Sequence, residues 1–244
     1  MLYVVLPAYN EEEALALLLP RIRQVMERHR LVGQVVVVDD GSTDRTAGVA
    51  ESAAGDKVIR HARNMGLGAA LRTGLRYATQ ISQPGDIIVT MDADNTHNPA
   101  LIPRMIQRID EGFDILIASR FRSGARVVGV SFFRQFLSQA GGWVYRLLLP
   151  IRGVRDYTSG YRAYRAAVLQ AAFERWGDRF FSEMGFAAVA DILLKLRLLD
   201  NVLMTELPFI LRYDRKPGAS KMKVGASIVT SLQLAFRRAM GRLD

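Results

Sequence analysis

The chain contains no cysteine, which removes a disulfide framework and any thiolate-ligated zinc site. Lysine is scarce as well: five of the 33 basic residues, so 28 are arginine. No lysine-rich arm, zinc finger or RNA-binding aromatic signature accompanies the positive charge, and the expected partners include no nucleic acid. No linker, internal repeat or low-complexity tract appears. Long apolar runs are missing too. Near the carboxyl end the charge-free stretch from Val224 to Phe236 falls short of the roughly 20 residues a spanning helix needs. Met1 to Leu6 runs straight into Pro7, too short for a signal peptide. These absences together lead us to expect a cytosolic protein or one lying on a membrane surface.

What remains is a chain of 244 residues, half of them hydrophobic, with a formal charge of +9. That length suits one large domain, or one domain with an extension. The excess charge calls for an acidic partner such as anionic lipid or a phosphorylated molecule. Arginine suits bidentate phosphate contacts, although a compositional bias of the genome explains its abundance equally well.

The stretch Asp86-Ile87-Ile88-Val89-Thr90-Met91-Asp92-Ala93-Asp94, preceded by Pro84-Gly85, reads as a strand buried on both faces. It ends in two carboxylates. Ligands of open α/β sheets bind beyond the carboxyl ends of strands. Asp92 and Asp94 are therefore candidate ligands of a hard divalent cation, Mg²⁺ or Mn²⁺. The plain alternative is an acidic turn before the next helix.

Tyr3 to Leu6 makes a first strand, and Asn10 can cap the helix that follows to about Arg30. Val35 to Val38 is a second strand, running into Asp39-Asp40-Gly41-Ser42-Thr43-Asp44. Asp39, nearer the sheet, is the better ligand for ribose or base, while Ser42 and Asp44 serve equally as helix caps. Lys57 to Arg60 is a third strand. Asn64-Met65-Gly66-Leu67-Gly68 opens a helix through Tyr77, offering free N–H groups to an anion. A helix over Pro99 to Glu111 precedes a strand at Ile115 to Ala118. Strands alternating with helices in this way predict an α/β doubly wound, mainly parallel sheet with helices on both faces.

Four motifs, Leu6-Pro7-Ala8-Tyr9-Asn10-Glu11, Val38 to Asp44, Asn64-Met65-Gly66 and Met91 to Asp94, stand in the order and spacing of the family-2 glycosyltransferases. The stretches Asp156-Tyr157-Thr158-Ser159-Gly160-Tyr161-Arg162 and Arg215-Lys216-Pro217-Gly218-Ala219-Ser220-Lys221 make it resemble the dolichol- and polyprenol-phosphate mannosyltransferase branch. The resemblance covers Val4 to about Lys221. It implies a GT-A type catalytic domain over residues 1–221, with residues 222–244 a carboxyl-terminal amphipathic helix that packs on that domain or touches a membrane.

It further implies inverting transfer of a sugar, GDP-mannose being the favoured donor, to a polyprenyl phosphate at the inner face of the cell membrane. Asp94, with Asp92, would hold the metal. Pro7, Tyr9, Glu11, Val37, Asp39, Asp92, Ala93, Arg215 and Lys221 would surround the nucleotide sugar. Arg120 and Arg134 would orient the acceptor phosphate. One departure stands out: the family commonly has glutamine two places after the second aspartate, and Thr96 is here, followed by His97. Two rivals remain open. One is transfer to a sugar hydroxyl, with Asp156 as base; the other is a nucleotide-sugar-binding module without turnover.

Three further stretches are ambiguous. Ser131 to Leu149, with Phe132, Phe133, Phe136 and Trp143, suits a core helix or an interfacial one. Asp191 and Lys195, four apart on a helix from Phe181 to Leu199, read as an exposed ion pair. Arg212 to Lys223 carries five basic residues against one acid, a solvated face or a phosphate-gripping flap.

Overall fold

A computed structural model describes residues 1–53, 56–130, 143–183, 185–217 and 224–240. The chain alternates β1 (Leu2–Ala8), α1 (Glu12–Arg28), β2 (Gly33–Asp39), α2 (Thr46–Ser52), β3 (Lys57–Arg60), α3 (Leu67–Ile81), β4 (Ile87–Thr90), α4 (Ile102–Asp110) and β5 (Ile115–Ser119). It continues through β6 (Arg126–Val128), β7 (Arg162–Arg165), α5 (Ala166–Trp176), α6 (Ala187–Leu196), β8 (Met204–Pro208), β9 (Ile210–Arg212) and α7 (Val224–Ala239). Seven strands form one sheet in the order β3-β2-β1-β4-β7-β5-β8, and β6 pairs with β9 beside it.

The apolar runs explain the layering. Val35 to Val38 and Ile115 to Ala118 are at most 1% exposed, as expected of strands covered on both faces. Side chains alternate between two cores. Tyr3, Val5 and Val36 face α3, α5 and α6, whereas Val4, Leu6, Val35 and Val37 face α1 and α4. The chain winds from β1 out to β3, then returns to place β4 on the other side of β1. That reversal opens a crevice at the carboxyl ends of β1 and β4, where both acidic motifs emerge.

The sheet is mainly parallel, as expected, with one exception. β7 runs antiparallel between β4 and β5, in a stretch without an apolar run. It holds because Arg162 is buried, donating to the Val189 and Tyr157 carbonyls at 2.7 Å each. Asp191 and Lys195 are not an exposed pair; both side chains are 1% exposed. All ten residues of α6 are buried, and Arg238 of α7 donates to Asp191 Oδ1 at 2.6 and 2.9 Å. Ser182 joins the cluster, its hydroxyl donating to Asp191 Oδ2 at 2.6 Å.

This buried cluster ties α7 to the domain together with Leu234 and Ala235. Removing one partner of a buried pair costs about 3–5 kcal/mol. We expect Arg238→Ala to lower the urea midpoint accordingly. The half-exposed neighbour Arg237, paired with Glu183, should cost less than about 1 kcal/mol when changed to alanine. Equal shifts would show that α7 is not anchored here.

Candidate active site

Beyond β4 the chain makes a tight loop, with Asn95 at φ +62°. Ala93 is 2% exposed and faces the core, which throws the carboxylates on either side of it toward the crevice. The Asp92 N–H donates to His97 Nδ1 at 3.1 Å. That bond assigns the ring proton to Nε2, 3.6 Å from Asp92 Oδ2. His97 is itself held, stacked on Tyr161 at 5.0 Å and meeting Phe209 edge-on at 5.6 Å. Asp94 Oδ1 accepts from the Thr96 N–H at 3.1 Å and its hydroxyl at 2.7 Å, and Oδ2 accepts from Lys216 Nζ at 2.8 Å.

These surroundings drive the two carboxylates apart. Asp92 is pushed above the usual range by desolvation, with the Asp94 charge adding to it and His97, Lys216 and Arg120 opposing. The rise is moderated at the mouth of the cleft, where 40% of its side chain meets solvent. Burial acts upward on Asp94 too, but the Lys216 ammonium overrides it and keeps Asp94 ionised. Tyr213, half-buried, feels Asp92, Asp94, Arg120 and Lys216; burial first and then the two carboxylates keep its phenol protonated.

The donor set suits a hard divalent cation. Lys216 already places one positive charge on Asp94, and Asp92 opens to solvent. Among the described residues no group of three or more His, Cys, Asp or Glu converges. A metal here would take two carboxylates and complete its shell with water and diphosphate oxygens, a normal arrangement for Mg²⁺. Thr96, where the family commonly has glutamine, donates its hydroxyl proton to Asp94 and so orients that carboxylate.

Arg120 follows β5. Its N–H, Nε and one terminal nitrogen donate to the Asp156 carboxylate at 3.0, 2.8 and 2.7 Å, and that nitrogen also reaches the Thr158 hydroxyl at 2.6 Å. The N–H groups of Thr158 and Ser159 add to Asp156 at 3.3 and 3.1 Å. Burial alone would raise this carboxyl, but Arg120 and the backbone donors hold it well below the usual range. Asp156 is thereby excluded as a general base: its oxygens are fully committed and its side chain is inaccessible. Glu206 of β8 fastens the same loop from behind, accepting the Arg155 and Asp156 N–H groups at 2.6 Å each.

On the other flank, residues 9–11 and 42–46 are stitched together. Asn10, at φ +53°, donates its N–H to Ser42 Oγ and accepts from the Thr43 N–H. It does not cap α1; Asp44 does so instead, accepting from Glu12 N at 3.3 Å. Asp39 accepts from the Ser42 N–H at 3.0 Å and lies 3.5 Å from exposed Arg60. Asp40 takes the N–H groups of Met65 and Gly66 and contacts His61 Nδ1 at 2.7 Å. The anion expected before α3 is thus the protein's own carboxylate. Val37 is fully buried beneath α1, behind the cleft wall, whereas Pro7, Tyr9 and Glu11 are partly exposed at the end of β1.

Arg215 offers its carbonyl to Asn95 Nδ2 at 3.4 Å, so its backbone closes over the Asp94 loop. Arg134 and Lys221 lie outside the described residues, as do Phe132, Phe133 and Phe136. Lys216 and Tyr161 stood within the motif stretches, and His97 beside Thr96, without a role of their own; Tyr213 and Glu206 were not singled out from the sequence. A lysine next to Arg215 carries no pattern of its own; only the return of β9 to the Thr96 carbonyl, at 3.0 Å from Arg212 N, brings it onto Asp94.

Glycosyl transferase family 2 matches residues 3–173, which take in the crevice motifs from Pro7 to Arg162 but not the Arg215–Lys221 stretch. The chain belongs to glycosyltransferase family 2. This glycosyltransferase is 35% identical over 238 residues to a dolichol-phosphate mannosyltransferase of Pyrococcus furiosus, covering 96% of this chain and 62% of that one. It therefore spans less than two thirds of that relative. An undecaprenyl-phosphate mannosyltransferase of Micrococcus luteus is 33% identical, with 91% of this chain and 87% of the relative covered. A polyprenol monophosphomannose synthase of Mycolicibacterium smegmatis is 32% identical, with 99% and 88% covered. Glucosyl-3-phosphoglycerate synthase of Mycobacterium tuberculosis, solved with Mn²⁺, UDP and glucosyl-3-phosphoglycerate, superposes with a TM-score of 0.66 at 21% identity, covering 99% of this glycosyltransferase and 80% of that chain. That likeness establishes the GT-A fold.

Lys216 supplies a direct test of the crevice. Losing a charged partner from a desolvated site costs about 2–5 kcal/mol, so Lys216→Ala should lose about a hundredfold in turnover. Lys57→Ala, on the exposed edge strand, serves as control. Equal activities would make Lys216 a surface charge only.

Proposed function

We propose that this glycosyltransferase moves a hexosyl group from a nucleoside-diphosphate sugar, GDP-mannose foremost, to a polyprenyl phosphate, with inversion at the anomeric carbon. The carrying observation is the charge arrangement. Asp92 and Asp94 face Lys216 and Arg120 across one cleft, while the neighbouring carboxylate, Asp156, is locked away. An acceptor hydroxyl would need a base to take its proton. An acceptor phosphate is anionic at neutral pH and needs none. The names of the three mannosyltransferase relatives agree with this choice of acceptor.

Mg²⁺ or Mn²⁺ held by Asp94 with Asp92 would neutralise charge on the leaving diphosphate when bound. Thr96 keeps the Asp94 carboxylate aimed at the crevice. Lys216 turns its ammonium from Asp94 to a diphosphate oxygen, helped by Arg215 and Lys221. Tyr9 and Asp39 hold base and ribose, with Pro7, Glu11, Val37 and Ala93 shaping the walls behind them. Arg120 holds the acceptor phosphate behind the anomeric carbon, a role the family resemblance extends to Arg134. The acceptor oxygen forms the new bond there as the bond to the diphosphate breaks, its electron pair leaving with the diphosphate.

The acceptor lipid puts the enzyme on the inner face of the cell membrane. Among the described residues no helix is long and apolar enough to cross a bilayer. Trp143 is 65% and Leu147 82% exposed on the helical residues 143–148, with Arg146 against the Trp143 ring at 5.2 Å. Such an edge suits the headgroup zone. Residues 222–244, which include α7, would provide a second contact.

The test is turnover of purified protein with GDP- and UDP-sugars on a short-chain polyprenyl phosphate, the product's anomeric configuration being read by NMR. Transfer to the phosphate with inversion is expected. Transfer only to sugar hydroxyls, or nucleotide-sugar binding with no transfer to any acceptor, would overturn the reading.

A further inference from the structure

Away from the crevice, the solvent side of α3 carries a pocket of about 430 Å³ lined by Ile59, Arg72, Thr73, Arg76, Tyr77, Gln80 and Asp178. Its volume lies within the range of small-molecule sites. Its charge is unbalanced. Arg76 donates to Asp178 at 2.5 Å and covers the Phe173 ring, while Lys57 stands 5.5 Å over Tyr77 at the rim. Arg72 has no hydrogen-bond or ion-pair partner among the described residues, and it is partly buried. Arg72 and Arg76 are four apart on one helix, so the two like charges repel. Three cations around one acid make an arrangement that an anion relieves, and guanidinium forks match phosphate oxygens two at a time.

The pocket is also connected. Thr73 Oγ1 lies 2.9 Å from His61 Nε2, and His61 Nδ1 lies 2.7 Å from Asp40 Oδ1. Asp40 holds the N–H groups of Met65 and Gly66, and it is adjacent in the chain to Asp39. A group pressing on Thr73 therefore bears on the loop that ends β2 through one histidine. We propose that this pocket binds a phosphate-bearing small molecule between Arg72 and Arg76, and that His61 transmits its presence to the donor side of the crevice. The binding stands without the donor reading; the transmission rests on it.

The first experiment is calorimetric titration of the full chain in EDTA with inorganic pyrophosphate, in parallel with vesicles of phosphatidylcholine containing phosphatidic acid. Loss of a charged hydrogen bond should weaken binding about tenfold or more in Arg72→Gln, and Lys216→Gln should bind as wild type does. A loss confined to pyrophosphate identifies a soluble phosphate compound, and one confined to vesicles identifies a headgroup; either upholds the site. Identical binding by Arg72→Gln and wild type in both arms overturns it, as does binding abolished by Lys216→Gln. The second experiment is kinetic. Arg72→Gln should keep wild-type basal turnover and lose the part of the pyrophosphate-dependent change in donor KM that exceeds simple competition at the crevice. Thr73→Val should bind pyrophosphate normally and lose the same part. A KM response retained in full in Thr73→Val removes the His61 link and leaves the pocket standing.

Discussion

Asp94→Asn is expected to lower turnover about a hundred- to a thousandfold, the cost of removing one electrostatic contact to the developing charge. The amide keeps the shape of the carboxylate and can still accept from Thr96. It loses the charge that holds Lys216 at 2.8 Å. Far-ultraviolet circular dichroism should therefore match wild type while transfer collapses. EDTA should reproduce the collapse in the wild-type protein, and Mg²⁺ or Mn²⁺ should reverse it. Full activity in EDTA would remove the metal from the proposal and leave Lys216 as the main counter-charge. Asp92→Asn, altering the more exposed carboxylate of the pair, should be the milder of the two.

Asp156→Asn is expected to destabilise the fold as strongly as Arg238→Ala. Arg120 is only 17% exposed at its side chain, and Asp156 is completely buried. Replacing the carboxylate leaves a buried guanidinium without its counter-charge, costing about 3–5 kcal/mol. In a chain of this size each kcal/mol moves Tm by about 2–4 °C. The pH dependence follows from the sign of the shift. The folded carboxyl titrates below its unfolded value of about 3.9, because Arg120 and backbone donors hold it ionised against burial. Its contribution is therefore fully present above the unfolded value and fades as pH falls through the folded one. Urea midpoints of wild type and Asp156→Asn should differ by a constant amount near neutrality and converge in acid below about pH 4. A difference that persists unchanged at the lowest pH would show that Asp156 is not held as the anion. In turnover the same variant should suffer through misplacement of Arg120, and Asp156→Glu should fail to restore it, since the longer side chain cannot keep the two-nitrogen grip.

Much of this molecule was legible in the order of its residues. Runs such as Val35 to Val38 need cover on both faces, and their alternation with amphipathic helices leaves few arrangements besides a wound parallel sheet. The carboxylates at Asp39, Asp92 and Asp94 follow such runs immediately, so their place at strand ends was determined locally. Contacts made over long sequence separations were not legible. Arg162 to Arg165 became a central strand because Arg162 found carbonyl partners on Tyr157 and Val189. Asp191 and Lys195 went inward because α7 brought Arg238, 47 residues beyond Asp191. Lys216 reached Asp94 across 122 residues, and Glu206 reached Asp156 across 50. A charged side chain carries no local mark of whether it will be solvated or paired. Strand periodicity is decided by near neighbours and is written in the sequence; the fate of a charge depends on the counter-charge that folding delivers, and only the tertiary structure decided it.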